Sequence, residues 1–444
     1  MSLPETNRKI NLPQAASINM IDMVGIGPFV VIPIVIGYFN TNLFFWAWIL
    51  GAFIALVDGM VWSELGAKYP LAGGTYNFHR IAFGEKGGRL MSFLFTWQTS
   101  IQAPLVLASG SIGFAQYLQY LVPLDYYQQK FISVFVILLV TFLLYRKIET
   151  VGKISLALWA IVLFTLIWII IGGFTHQQVS YSFWPDDTSD FFKGAFWVAL
   201  GQASGKTVYS YLGYYNVCHL GGEIMKPEKN IPRSIFISVV VIAILYLSMN
   251  MSIMGVIPWE EAKRYDFIVS IFIEKVYNYQ TARIITALIL VAAFSSLFSL
   301  LLGYSRVPYA AAVDGNFFKV FGKLHPTKNF PYVSLLFIAA LGIIFSFSYS
   351  LKQVIAAILA MRIPVQFIGQ SVGLILLRKK NGKEKLPFKM WFYPVPVILS
   401  ILIWIFLFIS TGWFALWGTL LIIAGIIVYF VANPGQLKAG SEVN

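Results

Sequence analysis

The segment Val24-Gly25-Ile26-Gly27-Pro28-Phe29 interrupts an apolar run, residues 15–38, that is otherwise suited to an α-helix. Glycine is a poor helix former, and Pro28 lacks a backbone N–H and disfavours the α conformation of the residue before it. The run is therefore predicted to unwind into two half-helices. Backbone N–H groups at the start of the second half would attract an anionic group such as a carboxylate. A simple proline kink between packed helices is the alternative.

The composition places this segment in a membrane. Of the 444 residues 58% are hydrophobic and 11% are charged, and the mean hydropathy is +0.74. A soluble domain carries about 25% charged residues, so most of this exterior must face something other than water. The single cysteine, Cys218, excludes an intramolecular disulfide.

A helix needs about 20 apolar residues to cross about 30 Å of hydrocarbon. Runs of this kind predict an all-α integral membrane protein with about twelve transmembrane helices. Their predicted positions are 15–38, 41–65, 89–121, 131–145, 153–174, 191–219, 232–257, 282–305, 331–350, 354–377, 394–410 and 413–432. Pro- and Gly-rich connectors separate them.

The charges predict the orientation, because cytoplasmic loops of membrane proteins collect Lys and Arg. With the N-terminus inside, 23 basic residues fall on the inward side and 7 on the outward side, and two lie within spans. Both terminal tails, 1–14 and 433–444, are therefore predicted to be cytoplasmic, with the protein in the cell membrane. The net charge of +13 then needs no nucleic acid to explain it.

A second interruption, Tyr211-Leu212-Gly213-Tyr214, lies in the sixth predicted span. It is weaker than the first because it contains one glycine and no proline. Two interrupted helices in corresponding positions of two halves of a chain are the best sequence indication of a transporter's binding site.

The chain resembles the amino acid–polyamine–organocation (APC) superfamily of permeases. The stretch 24–29 is similar to the family's G-S-G-I-F motif, and residues 63–66 with 70–76 resemble its ELG and P-x-A-G-G-x-Y signature. Two further stretches carry the resemblance: Gly222 to Arg233, and Ser305 to Ala312 with Asp314-Gly315. Together the four stretches are specific.

This resemblance implies a five-plus-five inverted repeat, 15–174 and 191–377, followed by two trailing helices within 394–432. It also implies alternating access, with an amino acid or related amine held between the broken first and sixth helices. By the family's pattern, the N–H groups near Gly25, Ile26 and Gly27 would receive the substrate carboxylate. Backbone carbonyls of the second break would accept the ammonium group, and Tyr209 would close over the substrate. The predicted contributors from the second break are Tyr209, Tyr211, Leu212 and Gly213.

Two positions depart from the family's pattern. The serine between the glycines is Ile26 here, and Pro28 removes one N–H. Many relatives also carry a lysine in the middle of the fifth span that replaces a sodium ion or cycles a proton. The matching residues here are Trp159 and Ala160. Coupling to protons, to sodium or to exchange therefore stays open.

Ionisable groups within membrane spans must face a cavity or a partner. Asp58, Lys206 and Arg362 are such groups, and Glu64 near a helix end is interpreted as structural. Asp22 lies almost one turn before Gly25, where it could hold a proton, a cation or a substrate amine. The alternative is a fixed ion pair with Arg362 or Lys206.

Two polar stripes indicate a solvated pathway, although interhelical hydrogen bonds explain any single Gln equally well. Ser295 and Ser296 could supply hydroxyls to a sodium ion, or could simply pack between helices. The first stripe contains Gln98, Gln102, Ser109 and Gln116, and the second Arg362, Gln366 and Gln370. No metal-ligand spacing, Walker loop or nucleophile elbow is present, so neither a metal nor a cofactor is predicted.

The sequence thus predicts a secondary transporter of amino acids. A neutral substrate is favoured if Asp22 and Arg362 offset each other. A polyamine, a cationic or an acidic amino acid is the alternative substrate. A membrane-embedded enzyme is less favoured, because the His, Cys and carboxylate residues that it would gather are scattered. A channel is less favoured because it would not require paired helix breaks. The partners predicted are the small-molecule substrate and the bilayer, and the oligomeric state is not predicted.

Overall fold

The computed structural model describes residues 8, 10–39, 41–71, 73–145, 151–184, 188–328, 330–382 and 386–432. The predicted C-terminal tail, 433–444, and part of the N-terminal tail lie outside the described residues. The described ranges are largely helical, and an isolated β-bridge joins Ile10 to Ile224.

The first half of the chain forms a broken helix followed by long helices. Their bounds are α1 (Leu12–Met23), α2 (Gly27–Ile36), α3 (Phe45–Lys68), α4 (Thr75–Ala82), α5 (Gly84–Leu121), α6 (Tyr126–Leu144) and α7 (Val151–Thr175). The local sequence determines where several of these helices begin. Asp125 and Gln128, for example, form a capping box at the start of α6.

The second half also contains both short and long helices. Its members are α8 (Gly194–Tyr211), α9 (Asn216–His219), α10 (Pro227–Met254), α11 (Trp259–Ala262), α12 (Ile268–Val276), α13 (Tyr279–Tyr304), α14 (Arg306–Val313), α15 (Tyr332–Ser348), α16 (Leu351–Arg362), α17 (Gly369–Asn381), α18 (Val395–Ser410) and α19 (Trp413–Ala432). A π-helical segment, Ile363–Ile368, joins α16 to α17.

Each of the twelve predicted runs coincides with a helix, a bent pair or a joined series of helices. By length and composition, six helices of the described chain could cross a membrane, or seven if α1 and α2 form one bent span. Three shorter apolar helices, Trp159–Thr175, Tyr332–Ser348 and Val395–Ser410, lie at other predicted spans. The chain is therefore a multi-pass membrane protein, and the twelve-span inverted repeat stays a prediction.

The core lies where α1, α3, α8 and α10 pack together, with α5 packed against α13, α15 and α16. Apolar side chains of α6 and α19 face outward, including Phe135, which is 58% exposed, and Phe430, which is 68% exposed. Such exposed apolar surface is suited to lipid.

Two buried carboxylates tie elements together. Asp58 accepts hydrogen bonds from the side chains of Trp62, Tyr214, Ser400 and Trp404. Glu64 forms a two-pronged ion pair with Arg378 of α17 and accepts the backbone N–H of Met390 at 2.8 Å. Both groups are satisfied by their partners, which assigns them structural roles.

Candidate functional site

The first break lies at Val24 to Ile26, where the axes of α1 and α2 are bent by 48°. α2 begins with Gly27 and Pro28, and the fixed φ of proline suits this first turn. Within the described chain, the N–H groups of Gly25, Ile26 and Gly27 donate to no other group. They present donors and the positive end of the α2 dipole at the centre of the molecule.

The second break follows α8, which ends at Tyr211, and the turn Leu212 to Tyr215 leads into α9. Gly213 has a φ of +121°, a conformation that side-chain-bearing residues rarely adopt. The carbonyl oxygen of Leu212 accepts no hydrogen bond from any described residue. An unpaired acceptor therefore lies near the negative end of the α8 dipole.

The two breaks touch each other. A Cβ atom on Gly213 would lie 2.8 Å from the carbonyl carbon of Asp22, and one on Gly27 would lie 3.2 Å from Cε1 of Tyr209. Glycine is therefore required at Gly213 by close approach as well as by conformation. The hydroxyl of Tyr246 on α10 lies 2.8 Å from the carbonyl oxygen of Met23 and 3.2 Å from that of Ser210. One side chain thus contacts the backbone at both breaks.

A cavity of about 70 Å³ lies between the breaks. One wall is formed by the breaks themselves, and the rest by side chains of α5, α13 and α16. The lining residues are Asp22, Met23, Gly25, Ile26, Gly27, Val106, Gly110, Tyr209, Ser210, Leu212, Gly213, Tyr215, Ser296, Leu297, Leu300, Tyr304 and Arg362. Nine of the predicted site residues are therefore brought together, among them Asp22 and Arg362.

Opposite charges line this cavity without forming a direct pair. Arg362 is 3% exposed, and its guanidinium donates to the Tyr304 hydroxyl. Its Cζ atom lies 5.7 Å from the ring centre of Tyr215. In the part of the chain that the structure describes, Asp22 makes neither an ion pair nor a side-chain hydrogen bond. The fixed ion pair considered for Asp22 is thus absent, and its carboxylate is available to a ligand.

The backbone around Arg362 is irregular. Arg362 is the last residue of α16, and the π-helical segment that follows contains Pro364. Short π-helical segments occur frequently at functional sites, because they change the direction of the side chains around them. Arg362 therefore lies at a local change in helix geometry.

Five predicted residues do not line the cavity. The Tyr211 hydroxyl donates to the Trp48 carbonyl at 3.3 Å, so its side chain faces α3. Gln98 donates to Thr99, and Gln102 and Gln366 are buried away from the cavity lining. Ser109, a member of the first stripe, has its hydroxyl 2.7 Å from that of Tyr209, which lines the cavity.

Ser295 and Ser296 are neighbours in α13, but their side chains have different surroundings. Ser296 lines the cavity, and a Cβ atom on Gly25 would lie 2.9 Å from its Oγ atom. Ser295 donates to the Val291 carbonyl of its own helix and is not among the lining residues. Adjacent residues on a helix point about 100° apart, so both cannot face the same cavity.

Sequence reasoning missed Tyr215, Tyr304 and Tyr246. Tyr304 follows Ser296 by eight residues and Leu300 by four, a spacing that places all three on one face of α13. This periodicity could have identified Tyr304 as a site residue from the sequence. Tyr246 follows a long apolar stretch of α10, where no local pattern distinguishes it.

The other intramembrane positions lie elsewhere. Lys206 lines a separate pocket with Lys352, and Asp58 is enclosed by its four donors. In α7, Trp159 is buried and Ala160 is exposed, and neither lines the central cavity.

Comparison with known proteins gives a match over nearly the whole chain. The family model described as amino acid permease matches residues 10–432. The chain is 24% identical to the branched-chain amino acid permease BcaP of Bacillus subtilis (strain 168), over 88% of this chain and 86% of that protein. It is 25% identical to the methylthioribose transporter of the same organism, over 87% and 84% of the two chains. It is 26% identical to the human large neutral amino acids transporter small subunit 2, over 88% and 74%.

Proposed function

Because the chain belongs to the amino acid permease family, we propose that it carries a neutral amino acid across the cell membrane by alternating access. The chain is an APC-superfamily transporter and not an enzyme. In this proposal the substrate binds in the cavity between the two helix breaks. The main support for this proposal is that N–H groups of one break and a carbonyl of the other line the same cavity, and that none of them is paired within the described chain.

The first half of the substrate site would bind the α-carboxylate. The N–H groups of Gly25, Ile26 and Gly27 are unpaired in the described chain and lie at the start of α2. Peptide N–H groups at a helix start bind anions through hydrogen bonds and the helix dipole. A substrate carboxylate would satisfy donors that are otherwise costly to bury.

The second half would bind the α-ammonium group. Leu212 contributes an unpaired carbonyl near the end of α8, and Asp22 contributes a carboxylate that forms no direct ion pair or side-chain hydrogen bond with a described residue. Carbonyl and carboxylate oxygens are the acceptors that an ammonium group requires. The substrate carboxylate would therefore lie at the start of α2, and its ammonium group between Asp22 at the end of α1 and the carbonyl of Leu212.

The substrate side chain would face an apolar wall. Val106, Leu297 and Leu300 line the cavity together with Gly110. Among the described lining residues Arg362 is the single cationic side chain, and its charge is opposed by the Asp22 carboxylate in the same cavity. An uncharged side chain suits this wall, because a buried charge without a partner is strongly unfavourable. The names of two relatives, a branched-chain amino acid permease and a large neutral amino acid transporter, also favour a neutral substrate.

Alternating access would require the inward side to open. Arg80 of α4 and Tyr76 both contact the Asp314 carboxylate after α14, and Arg378 of α17 holds Glu64 of α3. On the predicted orientation these contacts lie on the cytoplasmic side. In this proposal, release of Asp314 by Arg80 and Tyr76 would separate α4 from α14 and open a path from the cavity to the cytoplasm.

The test is uptake into proteoliposomes of labelled leucine, serine, lysine, glutamate, putrescine and methylthioribose. Each substrate is measured under a sodium gradient, under a proton gradient and with preloaded exchange substrate. We expect saturable uptake of a neutral amino acid, at least tenfold above that of lysine and glutamate. Uptake confined to charged substrates, polyamines or methylthioribose would contradict the proposed substrate class.

The proposed location has its own test. Gly27→Leu would place a side chain against Tyr209 and is expected to abolish binding of the transported amino acid to purified protein. Gly303→Leu is the matched control, because a Cβ atom at Gly303 meets no atom within 4 Å. Equal affinities in the two variants would place the substrate elsewhere.

A further inference from the structure

A second pocket, of about 290 Å³, lies apart from the central cavity. It is enclosed by α8, the first turns of α16 and the connection between α18 and α19. On the predicted orientation this pocket lies toward the outward side, because α8 and α16 both start there. Its lining includes two lysines, Lys206 and Lys352.

Lys206 is unusual because it is buried, with 5% of its surface exposed. Its Nζ atom donates to the backbone carbonyl of Lys352 at 3.1 Å. The ammonium group of Lys352 lies 4.6 Å from the ring centre of Tyr38.

No carboxylate lines this pocket among the residues that the structure describes. A buried charge is costly unless it is paired, and one carbonyl oxygen does not offset the charge of the buried Lys206. Lys352 is exposed and adds a second positive charge to the lining, beside the ring face of Tyr38. The start of α16, which carries Lys352 in its first turn, adds the positive end of a helix dipole. The pocket therefore has an uncompensated positive potential.

We propose that this pocket binds an oxyanion, a phosphate or carboxylate group held between the ammonium groups of Lys206 and Lys352. The side-chain amides of Gln202 and Gln353 also line the pocket and can donate hydrogen bonds to the same group. Leu407 and Phe414 supply an apolar wall beside the charges. The oxyanion comes from a lipid headgroup or from a free anion, and this site is distinct from the central cavity.

The experiment uses the purified full chain and two probes. In the first arm, inorganic phosphate is titrated against chloride at constant ionic strength, and the thermal denaturation midpoint is measured. In the second arm, phosphatidylglycerol is titrated against phosphatidylcholine, and retained lipid is counted by native mass spectrometry. A saturable response to phosphate alone identifies a free-anion site, and one to phosphatidylglycerol alone identifies a lipid site.

The variants locate the binding. Lys206→Gln is expected to weaken the response at least tenfold, whereas Lys263→Gln leaves it unchanged. Lys263 is a suitable control because it is exposed and also lies over an aromatic ring, that of Trp259 at 4.9 Å. If Lys206→Gln does not fold, Lys352→Gln takes its place, with the same loss expected.

Two results would overturn the proposal: no saturable response in either arm for the unmodified protein, or equal responses in the Lys206 or Lys352 variant and in the control. Neither arm measures amino acid uptake. Failure here would therefore leave the proposed transport function standing, and failure of transport would leave this site standing.

Discussion

At the scale of single residues, the site depends on Asp22 and Gly213, which contact each other across the two breaks. A Cβ atom at Gly213 would lie 2.9 Å from the Oδ2 atom of Asp22. Asp22 faces the cavity without an ion-pair partner in the described part of the chain. The carboxylate is thus positioned by backbone contact and left available to a ligand.

Asp22→Asn is expected to lower uptake at least tenfold while leaving folding intact, because the amide keeps the shape of the side chain and removes its charge. Uptake into proteoliposomes under an unchanged ion gradient measures the effect. Asp190→Asn is the control, since Asp190 forms an ion pair with the largely exposed Lys193. Full transport by Asp22→Asn would remove this residue from the mechanism.

Gly213→Ala is expected to destabilise the protein by about 1 to 3 kcal/mol, because the new methyl group meets Asp22 in a backbone conformation that alanine avoids. The thermal denaturation midpoint and the affinity for the transported amino acid should both fall. Gly382→Ala is the control that separates the effect of the backbone conformation from the effect of the contact with Asp22. Gly382 has a φ of +55° but open space around it. Equal effects of both substitutions would show that close approach to Asp22 is unimportant.

At the scale of elements, a continuous helix supports two interrupted ones. α10 runs unbroken from Pro227 to Met254 and packs against α1 and α3. Its Tyr246 hydroxyl reaches the carbonyls of Met23 and Ser210, one at each break. Unwound backbone inside a membrane needs such partners, because no water is present to satisfy it.

Tyr246→Phe is expected to cost about 1 kcal/mol through loss of a buried hydrogen bond. Because the affected carbonyls belong to the two breaks, uptake should slow as well. Denaturation midpoints and initial uptake rates measure both effects. Tyr127→Phe, at a 66% exposed position, is the control. A Tyr246 variant that matches this control in both measurements would show that the contact does not support the breaks.

At the scale of the whole molecule, the distribution of basic residues predicts the orientation. The asymmetry of 23 inward to 7 outward residues predicts that both termini lie in the cytoplasm. In this predicted orientation the pocket of Lys206 lies on the outward side. Thiol labelling can test it, because the one natural thiol, Cys218, is buried with 1% of its surface exposed.

In a Cys218→Ser background, we expect a membrane-impermeant maleimide to label Tyr127→Cys in intact cells. Lys86→Cys should be labelled only after permeabilisation. Both positions are exposed, Tyr127 at the start of α6 and Lys86 at the start of α5. The reverse labelling pattern would invert the predicted orientation.

The sequence by itself determined where the helices lie and where the first of them breaks. Apolar run length, Gly-Pro chemistry and capping residues act over a few neighbouring positions, so they can be read locally. The same local reasoning identified Asp22 and the glycines of both breaks. It could not choose between an Asp22 ion pair and a free carboxylate, since that depends on residues far apart in the chain.

Only the tertiary structure decided which polar groups share a space. Helix rotation placed Ser296 in the cavity and Ser295 outside it, and turned the Tyr211 side chain toward α3. Packing brought Tyr246 to both breaks and left Lys206 beside Lys352 in a pocket of its own. Local chain chemistry fixes an element and its interruptions, whereas the orientation and packing of each helix fix the partners of its side chains.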